Sequence, residues 1–222
     1  IKKNSLSLIN LIDFLKKKKF NGKFVFFSTS EVYSPLIFNN LEKQPINEKK
    51  NLVVSNNVIN RDSYYLSKLF GEKYVQLSGL KFLILRPHNI YGPRMGFSHV
   101  IPELIKKAKE KKVLEVYSPN HTRSFCYIDD AIEQIFRISN SNYKNEIFNI
   151  GNDNEEIKII SLAKKILCHL QLNKKIVQKN ITKGSPSRRI PDIKKISKII
   201  KIKNFISLDN GIRKILEWDR NE

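Results

Sequence analysis

Two side chains four residues apart suggest proton-transfer chemistry. Tyr64 and Lys68 lie in the segment Tyr-Tyr-Leu-Ser-Lys, and a helix would place residues at this spacing on one face. A phenol has an ordinary pKa of about 10, so it is a poor base at neutral pH. A neighbouring ammonium lowers that pKa, and the pair could then move a proton to or from a hydroxyl. Because the spacing is common by chance, an ordinary exposed helix face is the simpler alternative.

Two further polar segments follow short apolar runs that are typical of buried strands. Residues 27–33 (Phe-Ser-Thr-Ser-Glu-Val-Tyr) follow the run at 24–27, and residues 86–94 (Arg-Pro-His-Asn-Ile-Tyr-Gly-Pro-Arg) follow the run at 82–85. In open α/β sheets, ligands bind beyond the carboxyl ends of the strands, so both segments are well placed for chemistry. Taken alone, the first could be a turn with local hydroxyl hydrogen bonds, and His88 could be a structural histidine.

The elements that must position these side chains alternate between helices and strands. The hydrophobic pattern predicts helices over residues 4–19, 63–78, 99–111, 129–138, 161–170 and 208–218, and strands over 24–27, 82–85, 114–117, 124–128, 147–150 and 175–178. Asp129 or Asp130 is expected to cap the fourth helix. Residues 34–62 are polar, with two prolines, and predict a long surface excursion. This alternation predicts an α/β fold with a mostly parallel, doubly wound sheet.

Composition narrows the class of protein further. The 222 residues can bury one core, or one core and a small lobe, and they contain no apolar run long enough for a membrane span. Cys126 and Cys168 have apolar neighbours and no paired spacing, which predicts reduced, buried thiols in a cytoplasmic protein. The net charge is +20, but 32 of the 41 basic residues are lysines. Because base readout favours arginine, nucleic-acid binding is not expected, whereas the excess charge could help to hold a small polyanionic substrate.

Taken together, the motifs resemble the extended short-chain dehydrogenase/reductase family, specifically its nucleotide-sugar epimerases, dehydratases and decarboxylases. The family's Ser/Thr-rich strand end before Val-Tyr-Gly is matched up to Tyr33, with Ser34 in place of the glycine. The Tyr-x-x-x-Lys helix follows, and Arg-Pro-x-Asn-x-Tyr-Gly-Pro is matched in full by residues 86–93. Three later family segments, Arg-x-Phe-x-x-Val-x-Asp, Asn-Ile-Gly and Arg-x-Pro-Asp, resemble residues 122–130, 148–151 and 188–195. Six motifs in the family's order are not expected by chance.

The resemblance implies a Rossmann-like doubly wound parallel sheet that lacks its first strands, with a small C-terminal substrate-binding lobe. Residues 1–92 would form the C-terminal part of the NAD-binding domain. Residues 93–222 would form mainly the substrate-binding lobe, with about 123–150 returning to the Rossmann sheet. The chain opens on Ile1, and its eight glycines form no Gly-x-x-Gly-x-x-Gly phosphate loop. We therefore expect a preceding segment to carry that loop, and we expect the 222 residues alone to bind cofactor poorly and to be inactive.

The resemblance also implies catalytic roles. Tyr64 would be the acid/base, Lys68 would bind the nicotinamide ribose and tune Tyr64, and Thr29 would share the proton of the substrate's O4. In the family's usual cycle, hydride leaves C4 of the sugar to give a 4-keto intermediate and returns before product release. NAD would thus be a resident catalyst, with NADP as the open alternative, and no metal site is expected.

Binding roles follow from the same resemblance. The residues expected to contact the cofactor are Ser28, Tyr64, Lys68, Pro87 and His88. The residues expected to contact a nucleotide-diphosphate sugar are Ser30, Asn89, Arg94, Arg123 and Arg189. Guanidinium groups suit phosphates and carboxylates, although a surface salt bridge is the simpler role for each arginine taken alone. A homodimer formed through the helices at 4–19 and 63–78 is also implied.

Residues 30 and 31 bear on the type of reaction. Family dehydratases carry Asp-Glu after the threonine, and the aspartate protonates the departing C6 hydroxyl. This chain has Ser30-Glu31, which argues against a dehydratase. Thr-Ser-Glu-Val-Tyr instead resembles the UDP-glucuronate decarboxylases, in which the 4-keto group lets C6 leave as carbon dioxide, and Glu31 and Arg189 match residues implicated in that step.

Two alternatives stay open. A nucleotide-sugar 4-epimerase is almost as well supported as the decarboxylase, because the motif at residues 86–93 is equally typical of that class. A non-catalytic scaffold that kept the fold is an alternative of another kind. The intact set of Thr29, Tyr64 and Lys68 argues against it, because sequence drift would not spare all three.

Overall fold

The chain forms two compact units in the computed structural model, which describes residues 2–56, 59–60, 62–182, 184–202 and 204–220. The first unit comprises Ile1–His88, Ile132–Ile150 and Pro191–Ile202. The second comprises Asn89–Ala131, Gly151–Ile190 and Lys203–Glu222. The division thus falls four residues before the boundary expected from the sequence, and the first unit takes in residues 191–202 as well. The assignment of NAD and substrate binding to separate parts of the chain stays a prediction.

The secondary structure alternates as the sequence predicts. The helices are α1 (Lys2–Lys17), α2 (Ser34–Phe38), α3 (Asp62–Leu77), α4 (Val100–Glu110), α5 (Ile128–Ser139), α6 (Ile159–His169), α7 (Lys194–Ile199) and α8 (Leu208–Arg220). The strands are β1 (Lys23–Phe27), β2 (Lys81–Pro87), β3 (Ile90–Tyr91), β4 (Leu114–Val116), β5 (Thr122–Ser124), β6 (Cys126–Tyr127), β7 (Glu146–Ile150), β8 (Glu156–Lys158), β9 (Ile176–Gln178) and β10 (Arg188–Arg189). A 3₁₀ turn covers Ser30–Tyr33.

A three-stranded parallel sheet in the order β1-β2-β7 forms the centre of the first unit. The middle strand β2 is buried along Phe82–Arg86, as its continuous apolar run predicts. Helices α1 and α3 pack together, and Leu8 and Ile12 of α1 join Val75 of α3 in a buried cluster. The predicted α/β class with a parallel sheet is confirmed.

The prediction of a surface excursion over residues 34–62 is wrong in part. The short helix α2 begins at Ser34, directly after the 3₁₀ turn. Leu36 and Ile46 form a buried cluster with Val32 and Tyr33. The apolar side chains here are too few and too irregularly spaced to give a periodic signal, yet tertiary contacts bury them. This stretch therefore covers part of the first unit's core.

Small parallel and mixed sheets support the second unit. The pairs β3-β6 and β4-β9 are parallel, and β5 lies between β10 and β8. The strand predicted over 124–128 is two strands, β5 and β6, because the chain changes sheet at Phe125. Helix α5 begins at Ile128, so Asp129 and Asp130 lie in its first turn and not at the predicted cap. Asp130 instead accepts a hydrogen bond from the backbone N–H of Ile206.

Two predictions drawn from composition can be compared with the structure. Cys126 is buried as expected, but Cys168 is exposed. The buried face of α6 runs through Leu162, Ala163 and Ile166, and Cys168 projects from the other side of the helix. Among the residues that the structure describes, no helix combines the length and apolar content needed to cross a membrane.

Helix α8 packs closely against β3 in the second unit's core. The Tyr91 ring lies against Gly211, where a Cβ atom would meet the phenol oxygen and two ring carbons. The Tyr91 side chain is buried, and its hydroxyl has no hydrogen-bond partner within the described ranges. Burial raises the pKa of this phenol, so the group stays protonated. Only glycine at 211 allows this approach.

Replacing Gly211 with alanine should destabilise the protein. The added Cβ would lie 2.7 Å from Cζ of Tyr91, and overpacking of this kind costs about 1–3 kcal/mol. Tyr91→Phe alone should be neutral or slightly stabilising, since it removes a buried hydroxyl that lacks a partner, and it should relieve part of the cost in the double variant. Urea denaturation followed by circular dichroism measures all three variants. Strictly additive effects would contradict the contact.

Candidate functional site

Helix α3 carries the predicted proton-transfer pair. Tyr64 and Lys68 both lie in α3, so the predicted helical spacing is confirmed. The Lys68 ammonium donates a 2.7 Å hydrogen bond to the Phe27 carbonyl at the end of β1, and it lies 5.3 Å from the centre of the Phe26 ring. Burial lowers the pKa of Lys68. Tyr64 is 45% exposed, so a ligand can reach its phenol.

The 3₁₀ turn after β1 holds the predicted hydroxyl partner. Thr29 precedes the turn in an extended conformation, and its Oγ1 accepts a 3.2 Å hydrogen bond from the backbone N–H of Glu31. Because the oxygen is the acceptor in that bond, the Thr29 proton can be donated elsewhere. Thr29 and Ser30 are buried, whereas Glu31 is half-buried. Helix α3 packs against this turn, so the elements that carry Thr29, Tyr64 and Lys68 lie side by side.

A buried ion pair lies one helical turn beyond Lys68. Glu72 is fully buried and Arg86 is 2% exposed. The Arg86 guanidinium donates to both carboxylate oxygens of Glu72, at 2.8 and 2.6 Å. The Ser28 hydroxyl donates to the same carboxylate at 2.5 Å. Ser28 was predicted to contact the cofactor; with its proton committed to Glu72, its oxygen can only accept a hydrogen bond from a ligand.

The hydrogen bonds continue from Arg86 to the end of β7. Arg86 donates a 2.7 Å hydrogen bond to the Tyr33 hydroxyl, which in turn donates to Oδ1 of Asn149 at 3.0 Å. Burial raises the pKa of Tyr33 to about 12, against the opposing effect of Arg86, so Tyr33 keeps its proton. Nε2 of His88 lies 3.3 Å from the same Asn149 oxygen. Because that oxygen only accepts, His88 must carry its proton on Nε2.

The amide of Asn149 is oriented by its other contacts. Its Nδ2 donates to the carbonyls of Ile46 and Asp192, at 3.1 and 3.0 Å. Its backbone N–H donates to Glu48, a carboxylate whose pKa is raised by burial. One buried network of polar contacts therefore joins six side chains: Ser28, Tyr33, Glu72, Arg86, His88 and Asn149.

Sequence reasoning missed Glu72, although one signal was present. Glu72 follows Lys68 by four residues, as Lys68 follows Tyr64, so all three lie on one face of α3. Tyr33 and Asn149 were noted only as parts of motifs. Pro87, predicted to lie near the cofactor, closes β2 and pairs with Ile150.

The second unit brings three predicted substrate-binding residues together. Arg189 of β10 is the register partner of Arg123 of β5, so the two side chains leave the same face of their sheet. Asn89 adopts a left-handed conformation with φ of 44°. Its Nδ2 donates to the carbonyls of Ser124 and Arg189, at 2.9 and 3.3 Å. Asn89 is therefore hydrogen-bonded to the two strands that carry Arg123 and Arg189.

The Arg123 guanidinium is already hydrogen-bonded to oxygen atoms of the protein. It donates to the Thr122 and Pro186 carbonyls, each at 2.7 Å, and to the Ser185 hydroxyl at 2.8 Å. In this arrangement Arg123 holds the segment before β10 in place. Arg94 is different: it is exposed, and its guanidinium carbon lies 5.9 Å from the centre of the Trp218 ring.

The residues present fit one end of a nicotinamide cofactor. A half-buried ammonium at a strand's carboxyl end, beside an accessible phenol, suits the hydroxyls of a ribose and a nearby carbonyl. The eight glycines of the chain, by contrast, form no phosphate-binding loop. Within the described ranges, no three His, Cys, Asp or Glu side chains are grouped so that they could hold a metal ion.

Curated relatives match almost the whole chain. A UDP-N-acetyl-alpha-D-glucosaminuronate decarboxylase of Bacillus cytotoxicus is 31% identical over 219 residues, which cover 93% of this chain and 65% of the relative. UDP-glucuronic acid decarboxylase 3 of Arabidopsis thaliana is 30% identical, with 96% of this chain and 61% of the relative covered. This chain therefore spans somewhat less than two thirds of the length of these relatives.

Solved structures and a family model agree on the fold. The UDP-glucuronic acid 4-epimerase of Bacillus cereus, solved in complex with UDP-glucuronic acid and NAD, superposes with a TM-score of 0.77 at 24% identity. The aligned region covers 98% of this chain and 67% of that structure, and at this identity it shows the fold alone. Residues 1–151 match the model of the NAD dependent epimerase/dehydratase family. With its Tyr-x-x-x-Lys helix and parallel sheet in place, the chain belongs to the NAD dependent epimerase/dehydratase family.

Proposed function

We propose that the protein carrying this chain decarboxylates a UDP-linked uronic acid through a transient 4-keto intermediate. The observation that carries the oxidation at C4 is the arrangement at the end of β1, whereas the choice of decarboxylation rests on Ser30-Glu31 and on the matched relatives. At the end of β1, Lys68 is fixed to the Phe27 carbonyl, on the face of α3 that also bears Tyr64, next to the Thr29 turn. The matched relatives from Bacillus cytotoxicus and Arabidopsis thaliana, both named as decarboxylases of UDP-linked uronic acids, support this choice of substrate.

Side chains of this protein transfer the proton at O4 of the sugar. When bound, NAD would accept hydride from C4 of the sugar and return it later. Tyr64 takes the O4 proton as the C4 carbonyl forms and gives it back at the end of the cycle. Thr29 hydrogen bonds the same O4, because its oxygen accepts from the Glu31 N–H and its proton can still be donated.

The 4-keto sugar makes loss of carbon dioxide possible. A carboxylate at C6 is β to the C4 ketone, so the electron pair of the breaking C5–C6 bond moves into an enolate with its charge on O4. A proton then adds to C5 and regenerates the ketone. By resemblance, Glu31 and Arg189 serve this step, while Ser30 lies next to the substrate. A serine in place of the dehydratase aspartate leaves elimination of a C6 hydroxyl without its acid.

The second unit supplies groups suited to the nucleotide diphosphate. Arg189 offers a guanidinium group, and such groups bind phosphates with directed hydrogen bonds, whereas its register partner Arg123 holds the segment before β10 through hydrogen bonds to protein oxygens. Both hydrogen bonds described for the Asn89 side chain are donated to carbonyls, so its Oδ1 suits a sugar hydroxyl better than a phosphate. Arg94, which is exposed, is a further candidate contact. We also propose that the protein is cytoplasmic.

The proposed reaction can be tested directly. The protein with its native flanking sequence, given NAD and UDP-glucuronate, should release carbon dioxide and form a UDP-pentose. Tyr64→Phe should lower kcat by about 10²- to 10⁴-fold, the usual contribution of general acid–base catalysis. Mass spectrometry and NMR of the products, with trapping of the released gas, measure both. A uronic acid product inverted at C4 with no gas released would favour the 4-epimerase alternative.

We expect the 222-residue chain by itself to be inactive and to bind NAD only weakly, because its residues would contact only the nicotinamide end, and its eight glycines form no glycine-rich loop for the pyrophosphate. Isothermal titration calorimetry with NAD measures the affinity. A dissociation constant in the micromolar range would contradict the prediction.

We also propose that the protein forms a homodimer through α1 and α3. These two packed helices expose a set of large apolar side chains, Leu6, Leu11, Phe14, Phe70 and Leu77. The Phe70 ring stacks on Tyr74, and the Tyr74 hydroxyl bonds Asp13 of α1, so the surface is continuous across both helices. A two-fold axis would pair this patch with its own copy.

Substitution of Leu77 tests the dimer. Leu77 is 85% exposed, so Leu77→Lys should not disturb the monomer's core but should place a charge in the interface and give monomers. The matched control is Phe136→Lys on α5, which is 67% exposed and outside the patch. Sedimentation velocity measures the oligomeric state. Dimers that persist in Leu77→Lys, or a wild-type protein that is monomeric, would contradict the proposal.

A further inference from the structure

We propose that Glu72 and Arg86 are positioning residues for the reaction: their ion pair keeps the Tyr64–Lys68 face of α3 in register with the end of β1. The inference rests on the proposed function and adds two residues to it. Both side chains are buried, at 0% and 2% exposure, so they act through their neighbours and not on the substrate.

Two parallel attachments join α3 to the end of β1. Lys68 donates to the Phe27 carbonyl at 2.7 Å, and Glu72 accepts from the Ser28 hydroxyl at 2.5 Å. The attachments start one turn apart on the helix and end on two adjacent residues, Phe27 at the end of β1 and Ser28 just after it. A slip of one residue along α3 would shift the helix by about 1.5 Å and rotate it by about 100°, which would break both. Together they fix the translation and the rotation of the helix.

The position of Tyr64 depends on this register. Tyr64 lies one turn before Lys68 on the same face, at the exposed start of α3. The hydrogen bond described for this residue joins its backbone carbonyl to the Ser67 hydroxyl, and it does not orient the phenol. The place of the phenol is therefore set by how α3 is held further along. A misplacement of about 1 Å at a reacting group can cost 10²-fold in rate.

Stability alone does not account for an ion pair at this place. Desolvation of two buried charges offsets much of their attraction, and apolar side chains of similar size are often as stable. An apolar pair, however, could not hold the Ser28 hydroxyl. Arg86 is itself directed by Tyr33, at 2.7 Å from the guanidinium. Arg86 of β2 and Ser28, just after β1, thus fix the Glu72 carboxylate. Because Glu72 belongs to α3, the same contacts fix the position of that helix.

The test separates stability from positioning. In the protein with its native flanking sequence, the double variant Glu72→Leu/Arg86→Met removes both charges together, and Glu72→Asp keeps the ion pair but withdraws the carboxylate from Ser28. Glu42→Gln is the control, since Glu42 pairs with Lys50 at the surface. Thermal unfolding, kcat and KM are measured for each. NMR titration of ¹⁵N-labelled lysine side chains, assigned with Lys68→Arg, gives the pKa of Lys68 without reference to activity.

We expect the double variant to melt within a few degrees of wild type while kcat falls about 10- to 100-fold and KM changes little. Lys68, no longer held against β1, should show a pKa closer to its ordinary value. A stable double variant with wild-type kcat and an unchanged Lys68 pKa would overturn the proposal. Should the double variant not fold, Glu72→Asp is judged by the same criteria. A wild-type protein inactive on every UDP-sugar tested would contradict the proposed function instead, and the Lys68 titration would still decide on positioning.

Discussion

The ion pair between Glu72 and Arg86 is the constraint on which the geometry at the end of β1 depends. Two charges removed from water are tolerable only when every donor and acceptor finds a partner, and here the guanidinium and the carboxylate do so with Ser28 and Tyr33. These partners come from the end of β1 and the turn after it. Removing one member would leave an uncompensated buried charge, at a cost of about 3–5 kcal/mol. The hydrogen bonds that the buried ion pair requires thus hold α3, β1 and β2 together at the carboxyl-end edge of the sheet.

The strands and the helix that form this edge could be predicted from the sequence alone, for physical reasons. Runs such as Leu83–Leu85 have no polar alternation because β2 is the middle strand and is covered on both faces. The spacing of Tyr64 and Lys68 is a local property of a helix, so it can be read without tertiary information. Glu72 is the contrasting case: charged helix residues are almost always exposed, and only the contact with Arg86, 14 residues later in the chain, gives it a reason to be buried.

The second unit was harder to predict because its strands are short. β3, β6 and β10 have two residues each, and no periodic pattern can be recognised over that length. They exist because other strands pair with them. Arg123 and Arg189 could therefore be named only through a family resemblance, and their register came from the structure. The same holds for Asn89, whose left-handed backbone follows from its place in a turn and is tolerated by its short polar side chain.

The choice between decarboxylation and epimerisation is not made by Tyr64, Lys68 and Thr29. All of the proposed reactions begin with the same oxidation at C4, so these residues serve either outcome equally. Once a ketone stands at C4, a uronic acid loses carbon dioxide whenever the C5–C6 bond is aligned with the carbonyl π system. An epimerase acting on such a sugar must hold the carboxylate out of that alignment, whereas a decarboxylase must hold it in. The difference therefore lies in the groups that orient the carboxylate. In the first unit, Ser30 can offer that carboxylate a neutral hydrogen bond, so under the proposed function the residues that follow Thr29 bear on what the oxidation at C4 is used for.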